Sequence, residues 1–574
     1  CLPCFQEIIQ RISIHNLYTA FLLCEFSIQD FLLLKCVCRQ WNKITIHFLS
    51  DLRQIQYRIP THHLTSTEQL ILHNNASFLI GHSKYSIMLA KFAIQRYETH
   101  SKWSSSILQQ LLTGKKQHNC WNLMCSRLCN SEFSLEELII MTSFSLYHPM
   151  ITKLLCHLLP QYCTQKIMWF LPNLVYWIIH FTDITVLQTL CTICNRDFKL
   201  ATYTYHEILI YQNSTLTQYH KICHQFKQEL NKSMYEKLNH TINFHLQLPS
   251  LLTSSNFKIT PVDNIRLGIC PELICFGIDT QNQNTMNSFH KPTKFLLHCQ
   301  QNTTPINYEM LWKQEDIRKD LIIINIINLM NHILEPFFDN LYLVKYNVLP
   351  LDEKQGLIEI VQNAKTIQEI QSMDFSVQNY ILEQNPTLSI DIIRKRFTTS
   401  CAIYCVISYL LGIGDRHLDN IMITNDGYLF HIDFSFILGK TAKMLSPEIK
   451  ISPDMIDAMG GDKSQYFELF KKVCTDAFIQ LRRHSNTFLA MLLMLHRYCP
   501  TIDNGKYTKD YIIKQVLRRF IPGENNKQAE LIFTTKINKN RKSSYSNMFI
   551  DYCHKKNKDK TSLFAGFTGM FSMS

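Results

Sequence analysis

GDRHLDNIMITNDGYLFHIDF, residues 414–434, decides how the rest of the chain is read. Asn425-Asp426-Gly427 is strong turn chemistry between two apolar runs, Ile421–Thr424 and Tyr428–Ile432, and together they predict a β-hairpin. With the turn centred on Asp426, Thr424 lies opposite Tyr428 and Asn420 opposite Ile432. Asn420 and Asp433 then sit side by side at the open end, with Asp415, Arg416 and His417 just beyond. One hairpin thus gathers a neutral oxygen donor, a carboxylate, a cation and an imidazole.

The composition bounds what can surround such a hairpin. The chain has 574 residues, room for two to four domains, and its 46% hydrophobic and 18% charged residues predict real cores. With only 15 Gly and 17 Pro, long disordered tracts are not expected. A net charge of +12 suits an anionic partner, though most basic proteins of this size only carry a solvated positive face. The 21 cysteines include two CxxC pairs, Cys1/Cys4 and Cys191/Cys194, far apart in sequence. The second lies in an apolar helical run, where a thiol behaves as a small hydrophobe. Reduced thiols of a cytosolic protein are therefore expected rather than zinc or disulfides. The chain begins at Cys1 and shows no signal peptide. Its longest apolar run, Ile167–Phe181, is broken by Pro172 and Asn173 and is too short to span a bilayer.

Residues 61–245 read as successive helices of roughly 10–15 residues, a stacked, solenoid-like array without a strict repeat. Thr65 with Glu68 and Ser134 with Glu137 form capping boxes, and Pro149 and Pro160 bracket MITKLLCHLL (150–159). From Pro249 to Pro261 the texture turns Ser/Thr-rich, which predicts a linker. Strands are then expected at 294–299, 307–312, 342–349 and 357–361, with an apolar helix from Asp316 to Ile333. After about residue 362 the chain reads as mainly helical apart from the hairpin. The fold class is therefore α+β: strands first, helices after, in a two-lobed arrangement with a cleft between.

At this point the chain resembles a known family. GIGDRHLDN (412–420) with HIDF (431–434) is similar to the catalytic and metal-binding loops of the phosphatidylinositol 3- and 4-kinases. SCAIYCV (400–406), DAMGG (457–461) and QLRRHSN (480–486) agree, the last two being most similar to the class III phosphatidylinositol 3-kinases of endosomes and autophagy. The resemblance covers residues 255–550 well and 130–240 weakly. It implies a bilobal, protein-kinase-like lipid kinase domain, with a small β-rich N-lobe (246–361, linker included) and a larger helical C-lobe (362–574). An all-α accessory domain (61–245) precedes them. Residues 1–60 loosely resemble an F-box, and the blander reading there is three helices around Trp41.

The resemblance implies phosphoryl transfer from ATP to an inositol hydroxyl, with Mg2+, or Mn2+ in its place, held by Asn420 and Asp433. Asp415, Arg416 and His417 match the catalytic loop. Either Asp415 or His417 would be the base, Arg416 would steady developing charge, and His431 would assist at the γ-phosphate or serve structure. MNSFHKP (286–292), with Ser288, matches the loop covering the phosphates. Lys313 matches the phosphate-touching lysine, Asp320 its orienting partner, and Tyr346 the tyrosine deep in the pocket. Glu359 to Val361 match the adenine hinge, with Met422 and Ile432 beneath the base. The loop GKTAKMLSPEIKISP (439–453) corresponds to the activation loop, and Lys440, Lys443 and Lys450 would meet the lipid headgroup. Three lysines with no arginine fork are sparse for a polyphosphorylated headgroup, which implies phosphatidylinositol as substrate and its 3-phosphate as product.

The implied partners are a membrane containing phosphatidylinositol and a regulatory subunit. No nucleic acid is expected, and the place is cytoplasmic, peripheral on endomembranes. The basic, aromatic-ended tail (536–571) suits an anionic surface.

Departures from the family are specific. One residue fewer follows Lys313 than is usual, which reverses side-chain direction on a strand and makes Lys313 the weakest nucleotide contact. The usual Asp-Phe-Gly is Asp433-Phe434-Ser435, and the serine stiffens the loop. The β-sandwich membrane-binding domain has no room in residues 1–60, so it is deleted or lies outside the fragment. Competing readings are a 4-kinase, a large protein kinase of the same superfamily, and an inactive kinase-like scaffold. The retention of Asp415, His417, Asn420 and Asp433 together opposes the last.

Overall fold

The computed structural model of the chain describes residues 14–23, 26, 28–34, 39–58, 63–80, 83–96, 99–113, 134–143, 149–212, 218–253, 259–285, 292–339, 341–440, 448–498 and 505–542. They fall into two compact units, Cys1–Cys163 with Tyr176–Leu190, and Thr164–Val175 with Cys191–Ser574.

The first unit is helical, and its helices begin where side chains satisfy the exposed N–H groups of the first turn. Thr65 Oγ1 accepts from the Glu68 N–H while the Glu68 carboxylate accepts from the Thr65 N–H. Ser134 and Glu137 make the same reciprocal pair, each cap contributing about 1 kcal/mol. The N-terminal segment contains helices Ile14–Leu23, Ile28–Leu34 and Arg39–Tyr57. Their aromatic centre is not the expected tryptophan. Phe31 is fully buried and stacks on Phe48 at 4.2 Å, whereas Trp41 is half-buried and edge-on to Phe21. Residues 1–13, with Cys1, Cys4 and part of the F-box-like stretch, lie outside the described residues.

In the second unit, helix α1 (Phe198–Leu209) is capped by Asp197, which accepts from the Leu200 N–H. Helix α2 (Lys232–Thr253) overruns the expected linker. Pro249 lies inside it, in the last turns, where the buried pair Leu248 and Leu252 holds the helix to its neighbours. A six-stranded sheet follows, formed by β1 (Ile259–Arg266), β2 (Ile274–Thr285), β3 (Thr293–Gln301), β4 (Thr304–Lys313), β5 (Val348–Pro350) and β6 (Gly356–Glu359). Helix α3 (Arg318–Leu334) is inserted between β4 and β5. The order is β1-β2-β3-β4-β6-β5, and all pairs are antiparallel. β3 alternates cleanly, with Thr293, Phe295, Leu297 and Cys299 buried and their neighbours half-exposed. The strand expected over 342–349 begins only at Val348; residues 341–347 bury Leu343, Val344 and Tyr346 without joining a ladder.

The helical half of this unit is organised by α4 (Ile390–Leu411), which starts on the Ser389 cap and is buried almost all round from Phe397 onward. A small sheet, β7 (Ala364–Thr366), β8 (Ile421–Thr424) and β9 (Leu429–His431), packs on it in the order β7-β8-β9. Two serines on α4 hold the hairpin. Ser400 Oγ accepts from the Leu429 N–H at 3.0 Å, and Ser408 Oγ lies 3.0 Å from His431 Nδ1. Helices α5 (Pro453–Ala458), α6 (Gln465–Leu481), α7 (Lys509–Phe520) and α8 (Asn526–Lys542) complete the lobe.

The end of α4 is a tight spot that sets the start of the catalytic loop. Gly412 adopts φ +58°, and a Cβ there would lie 2.4 Å from the Gly439 nitrogen and 2.8 Å from the Arg519 guanidinium. Gly412→Ala is therefore expected to lose about 1 kcal/mol from the left-handed backbone alone, and more from the collision. A calorimetric scan should show a midpoint lowered by at least about 2 °C; an unchanged midpoint would contradict the packing.

Candidate active site

The hairpin has the register that its turn demands. Ile421, Met422 and Ile423 pair with His431, Phe430 and Leu429. The Thr424 N–H donates to Tyr428 O at 3.0 Å and the Ile432 N–H to Asn420 O at 3.2 Å. Asn420 thus faces Ile432, and Asp433 is the next residue. Asp415 and Asp433 both have positive φ, +50° and +59°. That region is uncommon for residues with a side chain, although aspartate enters it more readily than most.

Three buried charges meet at Asp433. Burial alone would raise its carboxyl, but Lys313, two hydrogen bonds from Ser435 and Arg416 hold it down to about 2. Ser435 donates to the same oxygen, Oδ1, from its N–H at 3.0 Å and from its hydroxyl at 2.6 Å. Asp320, in the first turn of α3, accepts from the Phe434 N–H at 3.2 Å. Burial and the neighbouring Asp433 raise the Asp320 carboxyl, against the pull of Lys313. Burial would lower the Lys313 pKa, yet Asp320, Asp433 and Glu315 together drive it upward. The direct partner of Lys313 Nζ is Glu315, whose Oε1 lies 3.0 Å away. Trp312 and Lys313 are both buried because strand alternation stops where β4 ends.

Asn420 Nδ2 donates to Asp415 O at 3.0 Å and lies 3.1 Å from His417 Nε2, which leaves Oδ1 directed to the other side. His417 Nε2 is 3.9 Å from Asp415 Oδ2. Asn420 Oδ1 and the remaining Asp433 oxygen are a neutral and an anionic hard donor, a set that fits Mg2+ or Mn2+. Among the described residues no cluster of three His, Cys, Asp or Glu side chains could hold a metal ion. Phosphate oxygens and water would have to complete any coordination shell. Cys191 and Cys194 are buried in their helix, which pushes both thiols up, Cys194 to about 12.

One catalytic-loop expectation needs correction, and for His431 the surroundings favour one of two open alternatives. Arg416 does not reach out to steady charge, because its guanidinium is buried and spent on backbone carbonyls. Nε donates to Gly414 O at 2.9 Å, Nη1 to Ile432 O at 2.8 Å and Asn420 O at 3.4 Å, and Nη2 to Asp433 O. His431 lies behind the loop, only 3% exposed, between Ser408 Oγ and the Tyr404 ring. Burial, with Arg416 nearby, pushes its imidazole pKa down, in keeping with the structural alternative rather than with assistance at the γ-phosphate.

On the nucleotide side, Tyr346 is buried and donates to His431 O at 3.4 Å. The Glu359 carboxylate turns away from any base and accepts from Asn347 Nδ2 at 2.6 Å, while Asn347 Oδ1 accepts from Lys199 Nζ at 2.7 Å. The Glu359 and Ile360 N–H groups donate to Asn347 O and Glu309 O. Val361, Met422 and Ile432 are half-buried, as a contact surface for a ring would require. Ser288 lies outside the described residues, in the connection between β2 and β3, whose ends Thr285 and Thr293 pair directly.

Lys440 Nζ lies 3.8 Å from the Tyr507 ring centre, and Lys450 is buried, which corrects its expected exposure. Lys443 lies outside the described residues, as does the tail from residue 543 onward. Four residues that hold the site escaped the sequence reading: Ser408, Lys319 (Nζ to Ser435 O, 2.6 Å), Asn347 and Lys199. Each acts across a long stretch of chain, and no local pattern marks it.

Residues 307–506 match the family described as phosphatidylinositol 3- and 4-kinase. The chain is similar to a phosphatidylinositol 3-kinase of Schizosaccharomyces pombe, 32% identical over 301 residues, which cover 51% of this chain and 37% of the relative. It is also similar to the nodule isoform of a Glycine max phosphatidylinositol 3-kinase, 32% identical over 43% of this chain and 31% of the relative. Likewise it resembles phosphatidylinositol 3-kinase VPS34 of Saccharomyces cerevisiae, 31% identical over 49% and 32%. The chain thus spans about a third of the length of the curated relatives it matches.

The geometry separates Arg416 from Asp433 by experiment. Arg416→Ala leaves several buried carbonyls without a donor and should cost on the order of 3 kcal/mol or more. Asp433→Ala removes a carboxylate that repels Asp320, which offsets part of the loss around Lys313. Thermal unfolding should therefore show a large drop in midpoint for Arg416→Ala and a much smaller one for Asp433→Ala. Equal drops would remove the distinction between a backbone clamp and a metal ligand.

Proposed function

We propose, for a chain that belongs through residues 307–506 to the phosphatidylinositol 3- and 4-kinase family, that it transfers the γ-phosphoryl group of ATP to the 3-hydroxyl of phosphatidylinositol. The observation that carries this reading is the half-buried Asp433 carboxylate, fixed by Ser435 and next to the Asp320-bonded Phe434 N–H, at the hairpin end that also holds Asn420 and the Asp415–His417 loop. In-line phosphoryl transfer requires a positioned triphosphate, neutralised charge and a proton acceptor near the incoming hydroxyl. Lys313 supplies a cation that its carboxylate neighbours keep protonated. Asn420 and Asp433 would hold the divalent ion, which when bound neutralises phosphate charge. Asp415 and His417 are the groups at hand to receive the hydroxyl proton, and His417 Nε2, already against Asn420, is the more committed of the two. Tyr346, Val361, Met422 and Ile432 would contact the base, and the β2–β3 connection with Ser288 would cover the phosphates.

The choice of headgroup follows from the cation supply. Each extra phosphate on an inositol ring adds roughly −1.5 to −2 charge. Of the three activation-loop lysines, Lys450 is buried and Lys440 lies against Tyr507. That supports a headgroup carrying only its phosphodiester. The phosphatidylinositol 3-kinase names of the relatives favour the 3-hydroxyl. Work at endomembranes, beside a regulatory subunit, is the setting that the class III resemblance suggests. Among the described residues no helix is long and apolar enough to cross a membrane.

Vesicles of phosphatidylinositol with labelled ATP and Mg2+, followed by positional analysis of the product, test this. The expected product is the 3-phosphate, with loss of at least about 100-fold in rate for Asp433→Ala and weaker use of the 4,5-bisphosphate. A 4-phosphate product would move the enzyme to the other branch of the family, and an active Asp433→Ala variant would sink the metal assignment.

A further inference from the structure

Ser435, directly after the Asp433-Phe434 pair, is built into the site at three points. Its hydroxyl donates to Asp433 Oδ1 at 2.6 Å and its N–H donates to the same oxygen at 3.0 Å. Its carbonyl accepts from Lys319 Nζ at 2.6 Å, and Lys319 is itself buried, 5.9 Å from the Tyr507 ring. A glycine could supply the N–H and the carbonyl bonds but not the hydroxyl bond. The hydroxyl bond is the shorter of the two to the carboxylate, in the range of a strong charge-assisted contact.

The consequence is geometric. A carboxylate oxygen accepting two hydrogen bonds has both lone-pair directions taken, so Oδ1 of Asp433 cannot also face a cation without losing one of them. The bonds also fix the carboxylate's rotation on a residue whose backbone already sits at φ +59°. We propose that Ser435 is a positioning residue, whose hydroxyl locks the Asp433 carboxylate so that it offers a divalent cation a single oxygen, Oδ2. This rests on the reading of Asp433 as a metal ligand and goes further by assigning the adjacent serine a role in how that ligand binds. Partners that orient a metal-binding carboxylate typically change affinity about 10–100-fold when removed. Here the N–H bond survives removal of the hydroxyl, so the low end of that range applies.

The test is Mn2+ binding, with no turnover. Mn2+ is titrated into the whole chain with a non-hydrolysable ATP analogue, and free Mn2+ is read by electron paramagnetic resonance. Ser435→Ala should weaken binding about 10-fold, Ser435→Gly should do the same, and Ser435→Thr, which keeps the hydroxyl, should stay near wild type. Under turnover, Ser435→Ala should lower kcat and raise the Mg2+ requirement while leaving the KM for the lipid unchanged. Either Ala or Gly binding Mn2+ as tightly as wild type would overturn the proposal, as would a Thr variant as weak as Ala. Each folded variant decides the matter by itself. If wild type binds no Mn2+, or Asp433→Ala binds it equally well, the metal reading of Asp433 fails instead.

Discussion

The guanidinium of Arg416 is the contact on which the site's geometry depends. The backbone around it turns sharply twice, at Asp415 and again at Asp433, and each turn leaves carbonyls facing inward without a ladder partner. Arg416 meets the carbonyls of Gly414, Asn420, Ile432 and Asp433 at once. Only a planar fork with five donors can do this from one position; an ammonium of similar length cannot. The side chain that a sequence motif presents as chemistry is therefore spent on architecture. It joins the loop bearing Asp415 and His417 to the strand end bearing Asp433. The same device recurs in the lobe. Arg482 donates to the carbonyls of Phe520, Ile521 and Glu524, closing the bend between α7 and α8, and Arg519 donates to Tyr409 O at the end of α4. Burial lowers the Arg416 and Arg519 pKa values, but arginine starts so high that both stay charged.

Three further charges, the buried Lys313 and Asp320 and the half-buried Asp433, make the site's electrostatics. An isolated buried carboxylate would protonate. Here the two carboxylates share one lysine and respond in opposite directions. Asp433, bonded by Ser435 and near Arg416, is held anionic, while Asp320, with one backbone N–H, is pushed up.

What the sequence revealed and what it hid divide along chain separation. The hairpin register was legible because turn chemistry at 425–427 and a two-residue period leave no freedom. Helix starts at Thr65 and Ser134 were legible for the same local reason. β1 and β2 were not, since β1 contains Pro261 and β2 ends in the polar run Asp279–Thr285, so neither shows alternation. The side-chain direction of Lys313 was left open because a count along a strand cannot say where the strand stops. The end of β4 at this residue buries two successive side chains. Arg416 was misread, and His431 left between two roles, because a motif fixes which residues are near a site but not which way they point. That is settled by Ser408, the Tyr404 ring and the carbonyls of Ile432 and Asp433.

The two serines of α4 also bear on the order of assembly. Ser408 meets His431 across 23 residues of chain and Ser400 meets Leu429 across 29, whereas Asp320 meets the Phe434 N–H across 114. Closing a loop costs entropy that rises with its length, and contacts of short separation are favoured to form first. The helix and hairpin can therefore nucleate as one local unit, with the strand register already set. The long-range docking that brings Asp320 and Lys313 to Asp433 is then the late event. A ribosome-bound chain ending soon after α4 and the hairpin would already hold Asp415, His417, Asn420 and Asp433, while the contact from Asp320 to the Phe434 N–H would wait on the longer-range closure.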